Sequence, residues 1–230
     1  MTAFFDYPKA AAFGRVVPKT RIYERAGAGA ALRDLFVTQV EQIVWKFKLA
    51  PETINLTATR TVSEIQVFSI GLRTGKLDEE VLLAIDRAIP FPLIFELTWS
   101  GKRKAVAAFK RPSEADSSKW VVSEYFATDW ASQDAPRWPL PVALNLGALY
   151  EGILTSMMPV SASIGEDIQA RVARMEAIRV KSREIERIKT RLSREKQFNK
   201  RVAINAELRV AKQELDRLTA GQPVGAGMSE

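Results

Sequence analysis

The chain has 230 residues, 47% of them apolar, with five Trp and eleven Phe, so it can bury a core and is not disordered throughout. It has neither His nor Cys, which excludes a Ser-His-Asp triad, a Cys nucleophile and a zinc site of ordinary ligands. The formal charge is +7, from 34 Lys and Arg against 27 Asp and Glu, and the length suits one core domain with an appendage.

Met1 to Asp6 lack the basic start and long apolar run of a secretory leader, and no stretch of 18 apolar residues follows. The expectation is a cytoplasmic protein with no membrane span. Residues 1–14 read as an irregular lead-in, and 16–25 as extended chain because of Pro18 and the β-branched residues around it. Residues 30–49 read as a helix, with Leu32, Leu35, Phe36, Val40, Ile43, Val44 and Phe47 on one face and Pro51 as its stop. Residues 53–60 and 64–73 are strand-like, and the second is nearly all apolar, as a strand buried on both faces would be. Asp78 caps a helix whose inner face is Val81, Leu82, Ile85 and Ile89. A strand over 93–99 turns at Ser100-Gly101 into an antiparallel return over 103–110. A further strand over 120–126, a Pro- and Trp-rich connector over 130–141 and a helix over 145–157 complete the domain. The fold class is α+β, with a mixed sheet of four or five strands.

Residues 165–221 form the C-terminal arm. No Gly or Pro interrupts 166–220, and apolar residues recur at helical spacing. Ile178, Ile185, Ile188 and Leu192 make a first seam; Ile204, Leu208, Leu215 and Leu218 make a second, out of phase with the first. Ser163 and Glu166 read as a capping box. One helix of about 54 residues would run roughly 80 Å, too long to bury its stripe on a small domain, so the arm predicts a homodimer or a protein partner. A continuous irregular helix and a hairpin turning near 197–200 both fit, and the continuous helix is the expectation. The domains are then 1–160 for the core, 161–219 for the helical or coiled-coil arm and 220–230 for a disordered tail.

Charge concentrates in the same arm. Residues 166–219 hold 15 basic and 9 acidic side chains, and 171–201 alone hold 12 against 4. Coiled coils usually balance their signs, so Lys181, Arg183, Arg187, Arg191, Arg194, Lys200 and Arg201 are candidates for sequence-independent binding of DNA or RNA. Phe198 alone interleaves them as an aromatic, which argues against base stacking. Against this stands an enzymatic alternative, a divergent Mg²⁺-dependent nuclease using Glu41, Glu64, Gln66 and Glu96, since such chemistry needs acids converging on the ion with a Gln or Lys near the attacking water. No phosphate-binding glycine loop is present and no cofactor is expected; Gly27-Ala28-Gly29 is a link.

Several stretches together resemble a bacterial family known as a domain of unknown function, DUF4391. They are Val17-Pro18-Lys19 through Tyr23-Glu24, Ile43-Val44-Trp45-Lys46, Leu49-Ala50-Pro51-Glu52-Thr53-Ile54-Asn55 and Glu64-Ile65-Gln66-Val67-Phe68. Leu77-Asp78-Glu79-Glu80, Ala88-Ile89-Pro90-Phe91-Pro92 and Arg194-Glu195-Lys196-Gln197-Phe198-Asn199-Lys200-Arg201-Val202 carry it further. The resemblance implies genes lying beside helicases and DNA methyltransferases in clusters of the anti-phage kind, and hence an accessory, non-enzymatic role with one of those as partner.

Overall fold

The structure, a computed structural model, describes residues 4–113, 115–116 and 120–220. They fall into two compact units, the first ending at Met158 and the second beginning at Pro159. The disordered tail expected at the C-terminus lies, from residue 221 on, outside the described residues.

In the first unit a short β1 (Phe5–Asp6) precedes β2 (Ala12–Val16), α1 (Lys19–Ala26), α2 (Ala30–Gln39) and β3 (Val40–Leu49). Then come α3 (Pro51–Ile54), β4 (Ile65–Leu72), α4 (Glu79–Ala88), β5 (Leu93–Trp99) and β6 (Lys102–Pro112). β7 (Trp120–Ala127), β8 (Ala131–Ser132), β9 (Trp138–Pro139) and α5 (Leu146–Thr155) close it. The sheet runs β2-β3-β4-β5-β6-β7 with β8 added on β6, seven strands where four or five were expected. Its pairs are antiparallel except β4 with β5, which α4 joins by a crossover. β1 and β9 form a separate parallel pair.

Three sequence expectations fail here for identifiable reasons. The helix expected over 30–49 stops at Gln39, and residues 40–49 are strand β3. Their β-branched and aromatic side chains suit a pleated strand, and β2 and β4 flank it on both sides. No Gly or Pro marks the switch, so nothing in the sequence punctuates it. Residues expected to be extended form α1, bracketed by Pro18 before its first residue and by Gly27 after its last, with Gly27 left-handed at φ 62. In place of a strand over 53–60 there is α3, in which Thr53 Oγ1 accepts from the Ala50 amide at 2.9 Å. The helix then ends at the left-handed Asn55.

One sheet face carries the main core. Ile22, Phe36, Val81, Leu82 and Ile85 from the helices pack on Phe68, Ile70, Leu93, Phe95 and Leu97. As expected, Asp78 caps α4, accepting from the Glu80 amide at 3.0 Å. On the opposite face, Tyr7 packs on Phe47 with ring centroids 4.7 Å apart, and Tyr150 of α5 stacks on Phe109 at 6.3 Å.

The second unit is a helical hairpin, not the continuous rod expected. α6 (Ile168–Arg194) and α7 (Phe198–Thr219) are separated by extended residues at Glu195 and Gln197. Cross-pairs fall in opposite order along the two helices: Arg191 with Glu207, Lys181 with Glu214, Arg174 with the Leu218 carbonyl. The helices are therefore antiparallel. The two out-of-phase seams are the reason, since each one covers the other: Ile185, Ile188, Ile204 and Ala211 are buried together, with Leu192, Leu208 and Leu215 against them. Each fully buried Ile or Leu contributes on the order of 1.5–3 kcal/mol, which a rod in water would forgo. The turn falls just before and at the start of the 197–200 stretch, and Asn199 lies in the first turn of α7. Glu166 does accept from the Ser163 amide at 2.9 Å, but the helix is capped four residues later, where Asp167 accepts from the Ala170 amide at 2.7 Å.

Candidate functional site

Of the four groups of the nuclease alternative only Glu64 and Gln66 meet. Gln66 donates to Glu64 at 2.5 Å, and Glu64 pairs with Lys48 at 3.3 Å, beside a Lys48–Glu52 pair at 2.6 Å. Glu96 registers with Ser69, three residues beyond Gln66 on an unbroken stretch of β4, so alternation sends Glu96 to the opposite face. Glu41, read above as helical, is exposed at the bulge of β3 beside Gly71, six residues along β4 from Ile65, or about 20 Å at strand rise. Among the described residues no group of three Asp, Glu, His or Cys side chains could hold a metal ion.

Glu96 has a different occupation. It is 3% exposed, and its two carboxylate oxygens accept from Arg137 at 2.6 and 2.8 Å. Arg137 also donates to the Phe5 carbonyl at 2.7 Å, which ties the N-terminal segment and the β8–β9 connector to the sheet. The Glu96 hydrogen bonds raise the Arg137 guanidinium's affinity for its proton. Burial, and then the charge of Glu96, push the Tyr7 phenol far above its ordinary range. This is a structural clasp.

A second buried cluster escaped the sequence reading. The Lys110 amine is fully enclosed and donates to the carbonyls of Asp86 and Ile89 at the end of α4, with Asp86 Oδ1 at 3.4 Å. Tyr125 donates to Asp86 Oδ2 at 2.5 Å. The Tyr150 hydroxyl accepts from the Lys110 amide at 3.0 Å. Desolvation lowers the Lys110 pKa and raises that of Asp86. Lys110 thus caps the C-terminus of α4 and pins it to β6. The available signal was parity: Val106, Ala108 and Lys110 alternate inward on one strand.

The basic arm divides its cations between two uses. Lys181 binds Glu184 and Glu214 at 2.8 and 2.9 Å, and Arg191 binds Glu207, so these two hold the hairpin together. Arg183, Arg187, Arg194, Lys200 and Arg201 are exposed and form no ion pair among the described residues. Arg183, Arg187 and Arg194 are spaced by four and seven, so they share one face of α6. An open groove of about 380 Å³ lies there, lined by Arg187, Thr190, Arg191, Arg194 and Glu195. At the far end of the hairpin, Arg174 closes the unit, gripping Glu166 at 2.6 and 2.7 Å and donating to Leu218 O at 3.2 Å.

The residues expected from sequence at a partner interface pack within the hairpin. Ile185, Ile188, Ile204 and Leu218 are buried, Leu192, Leu208 and Leu215 pack against the hairpin's apolar seam, and Ile178 is half-buried. The apolar seam of each helix is covered by that of the other.

Fold and surface define an α+β protein carrying a basic helical hairpin. Among the described residues no helix is long and apolar enough to cross a membrane. The family model described as Domain of unknown function (DUF4391) matches residues 5–215, and the chain belongs to that family. No curated protein and no solved structure matches the chain.

Proposed function

We propose that this protein is a non-enzymatic accessory component of a bacterial DNA-handling assembly, of the anti-phage kind, which docks on nucleic acid through its helical hairpin. The assembly and a helicase or DNA methyltransferase as companion are what the family resemblance implies. One observation carries the docking surface: with the apolar seam covered internally, Arg183, Arg187, Arg194, Lys200 and Arg201 remain exposed and without ion pairs among the described residues. Arg183 to Arg194 spans about 17 Å of helix, equal to roughly five base-pair rises of duplex. Cations at that spacing meet phosphates and carry no base-edge information, so binding is sequence-blind. The nuclease alternative has no comparable support, because its groups lie on different faces of the sheet.

Fluorescence anisotropy with two duplexes of unrelated sequence tests the reading. Both should bind alike at low salt, and five phosphate contacts give a log–log salt slope near −4.5, about a 500-fold loss between roughly 50 and 200 mM. A clear preference for one sequence, or no binding at low salt, refutes it.

A further inference from the structure

We propose that the bend of the hairpin is a site for unpaired nucleic acid, in which the Phe198 ring stacks on a base while Lys196, Lys200 and Arg201 hold the flanking phosphates. This rests on the reading of the arm as a nucleic-acid surface, adds the form of nucleic acid that the bend selects, and departs from the expectation of no base stacking because the structure leaves Phe198 exposed at the bend.

The arm turns most of its large apolar side chains inward, but Phe198 stands 76% exposed at the first position of α7. Val202, one turn on and on the same helix face, is 54% exposed. Nothing in the packing of the hairpin uses either. What separates Phe198 from an ordinary stray surface residue is its company. Between Arg194 and Arg201 stand four cations, Arg194, Lys196, Lys200 and Arg201, and all four are exposed. Glu195 is the one acid there. Its carboxylate accepts from the Gln197 amide at 2.8 Å, and that bond, with a smaller pull from the charge of Lys200, holds its pKa below the ordinary value, so one negative charge stands against the four cations.

A solvent-exposed ring flanked along the chain by Lys196, Lys200 and Arg201, none of which forms an ion pair among the described residues, matches a single strand, in which phosphates alternate with bases whose flat faces are open. Stacking on an aromatic side chain is sequence-tolerant because every base has such a face. A paired duplex offers the same phosphates but keeps its base faces stacked inside, so the ring gains nothing there. A membrane surface fits less well, since one ring on a short bend buries too little apolar area to anchor. A protein partner using Phe198 as an anchor is the outcome that the test must separate.

The test uses the full chain, with labelled oligothymidylate, its oligouridylate counterpart and a duplex of equal length, at low salt. The variants are Phe198→Ala, Phe198→Leu and the pair Lys200→Gln with Arg201→Gln. Circular dichroism first confirms that helicity is unchanged, as expected for an exposed position. Loss of one stacked base corresponds to about 5-fold weaker binding or more, so both Phe198 variants should lose at least that on single strands and stay within about 2-fold on the duplex. The paired Gln variant should weaken every probe and flatten the salt slope. A loss on oligouridylate equal to that on oligothymidylate shows the site to be indifferent to the sugar and supports it. Retained single-strand affinity in Phe198→Leu assigns the residue plain apolar contact and overturns stacking. Wild-type protein that binds the duplex, with single-strand affinity untouched in Phe198→Ala, overturns this inference alone and leaves Phe198 to a protein partner. Wild-type protein that retains none of the probes overturns both this and the reading it rests on.

Discussion

Arg137→Ala is the sharpest test of the idea that Glu96 is a structural rather than a metal-binding acid. Glu96 is 3% exposed, and Arg137 holds both its oxygens, at 2.6 and 2.8 Å. Deleting Arg137 strands a buried carboxylate beside the buried Tyr7, a loss of about 3–5 kcal/mol for a fully buried pair. The Arg137 side chain is 28% exposed, so water can partly compensate, and about 3 kcal/mol is the expected cost. For a unit of this size that lowers the melting temperature by about 6–12 °C. All five Trp, at positions 45, 99, 120, 130 and 138, belong to the first unit, so Trp fluorescence in urea reports on it without interference from the hairpin. Glu96→Gln combined with Arg137→Met should cost less than Arg137→Ala alone, because no charge is left unpaired. A cost below about 1 kcal/mol for Arg137→Ala contradicts the reasoning. So does a Mg²⁺-dependent rise in wild-type melting temperature, which would place a cation on the acids.

Two further perturbations address the hairpin, read by its helical circular dichroism. Asn199→Pro should leave helicity almost intact, because Asn199 lies in the first turn of α7, where the amide has no intrahelical acceptor; the same change at Ala206, mid-helix, should cost about 3 kcal/mol or more. Equal damage at both sites argues for a continuous rod. The Arg174 guanidinium holds Glu166 down to about 2 from an ordinary 4.5. The pair's contribution is therefore complete above about pH 4.5 and is lost as pH falls toward 2, and Glu166→Gln should abolish that slope. A wild-type hairpin whose melting temperature stays level across that window contradicts the Arg174 clasp.

Much of the fold was legible wherever period and punctuation agreed. Asp78 before Val81, Leu82 and Ile85 announced α4, and Ser100-Gly101 announced the β5–β6 hairpin. At Gln39–Val40 the chain passes from helix to strand with no Gly or Pro, and the residues of 30–49 satisfy both periods. Only pairing with β2 and β4 decides between them, and that partner information is absent from the local sequence. Pro18 and Gly27 did bracket α1, a signal outweighed by β-branched neighbours. In the arm the phase slip between seams was visible, but its resolution depended on whether each seam could meet the other. The basic character of the surface was plain from composition. Which cations are free was not, because Glu207 and Glu214 reach Arg191 and Lys181 only across the folded hairpin.

Phosphate-backbone binding by the exposed cations of the hairpin is read from the salt dependence of duplex binding in a variant carrying Arg183→Gln, Arg187→Gln, Arg194→Gln, Lys200→Gln and Arg201→Gln. These side chains form no ion pair among the described residues, so the hairpin should keep its helicity and melting temperature. Binding should weaken, and the log–log salt slope should become shallower by about 0.9 for each contact removed, up to roughly 4.5 in all. A variant that binds duplex with the wild-type affinity and the wild-type slope contradicts phosphate-backbone binding by these cations.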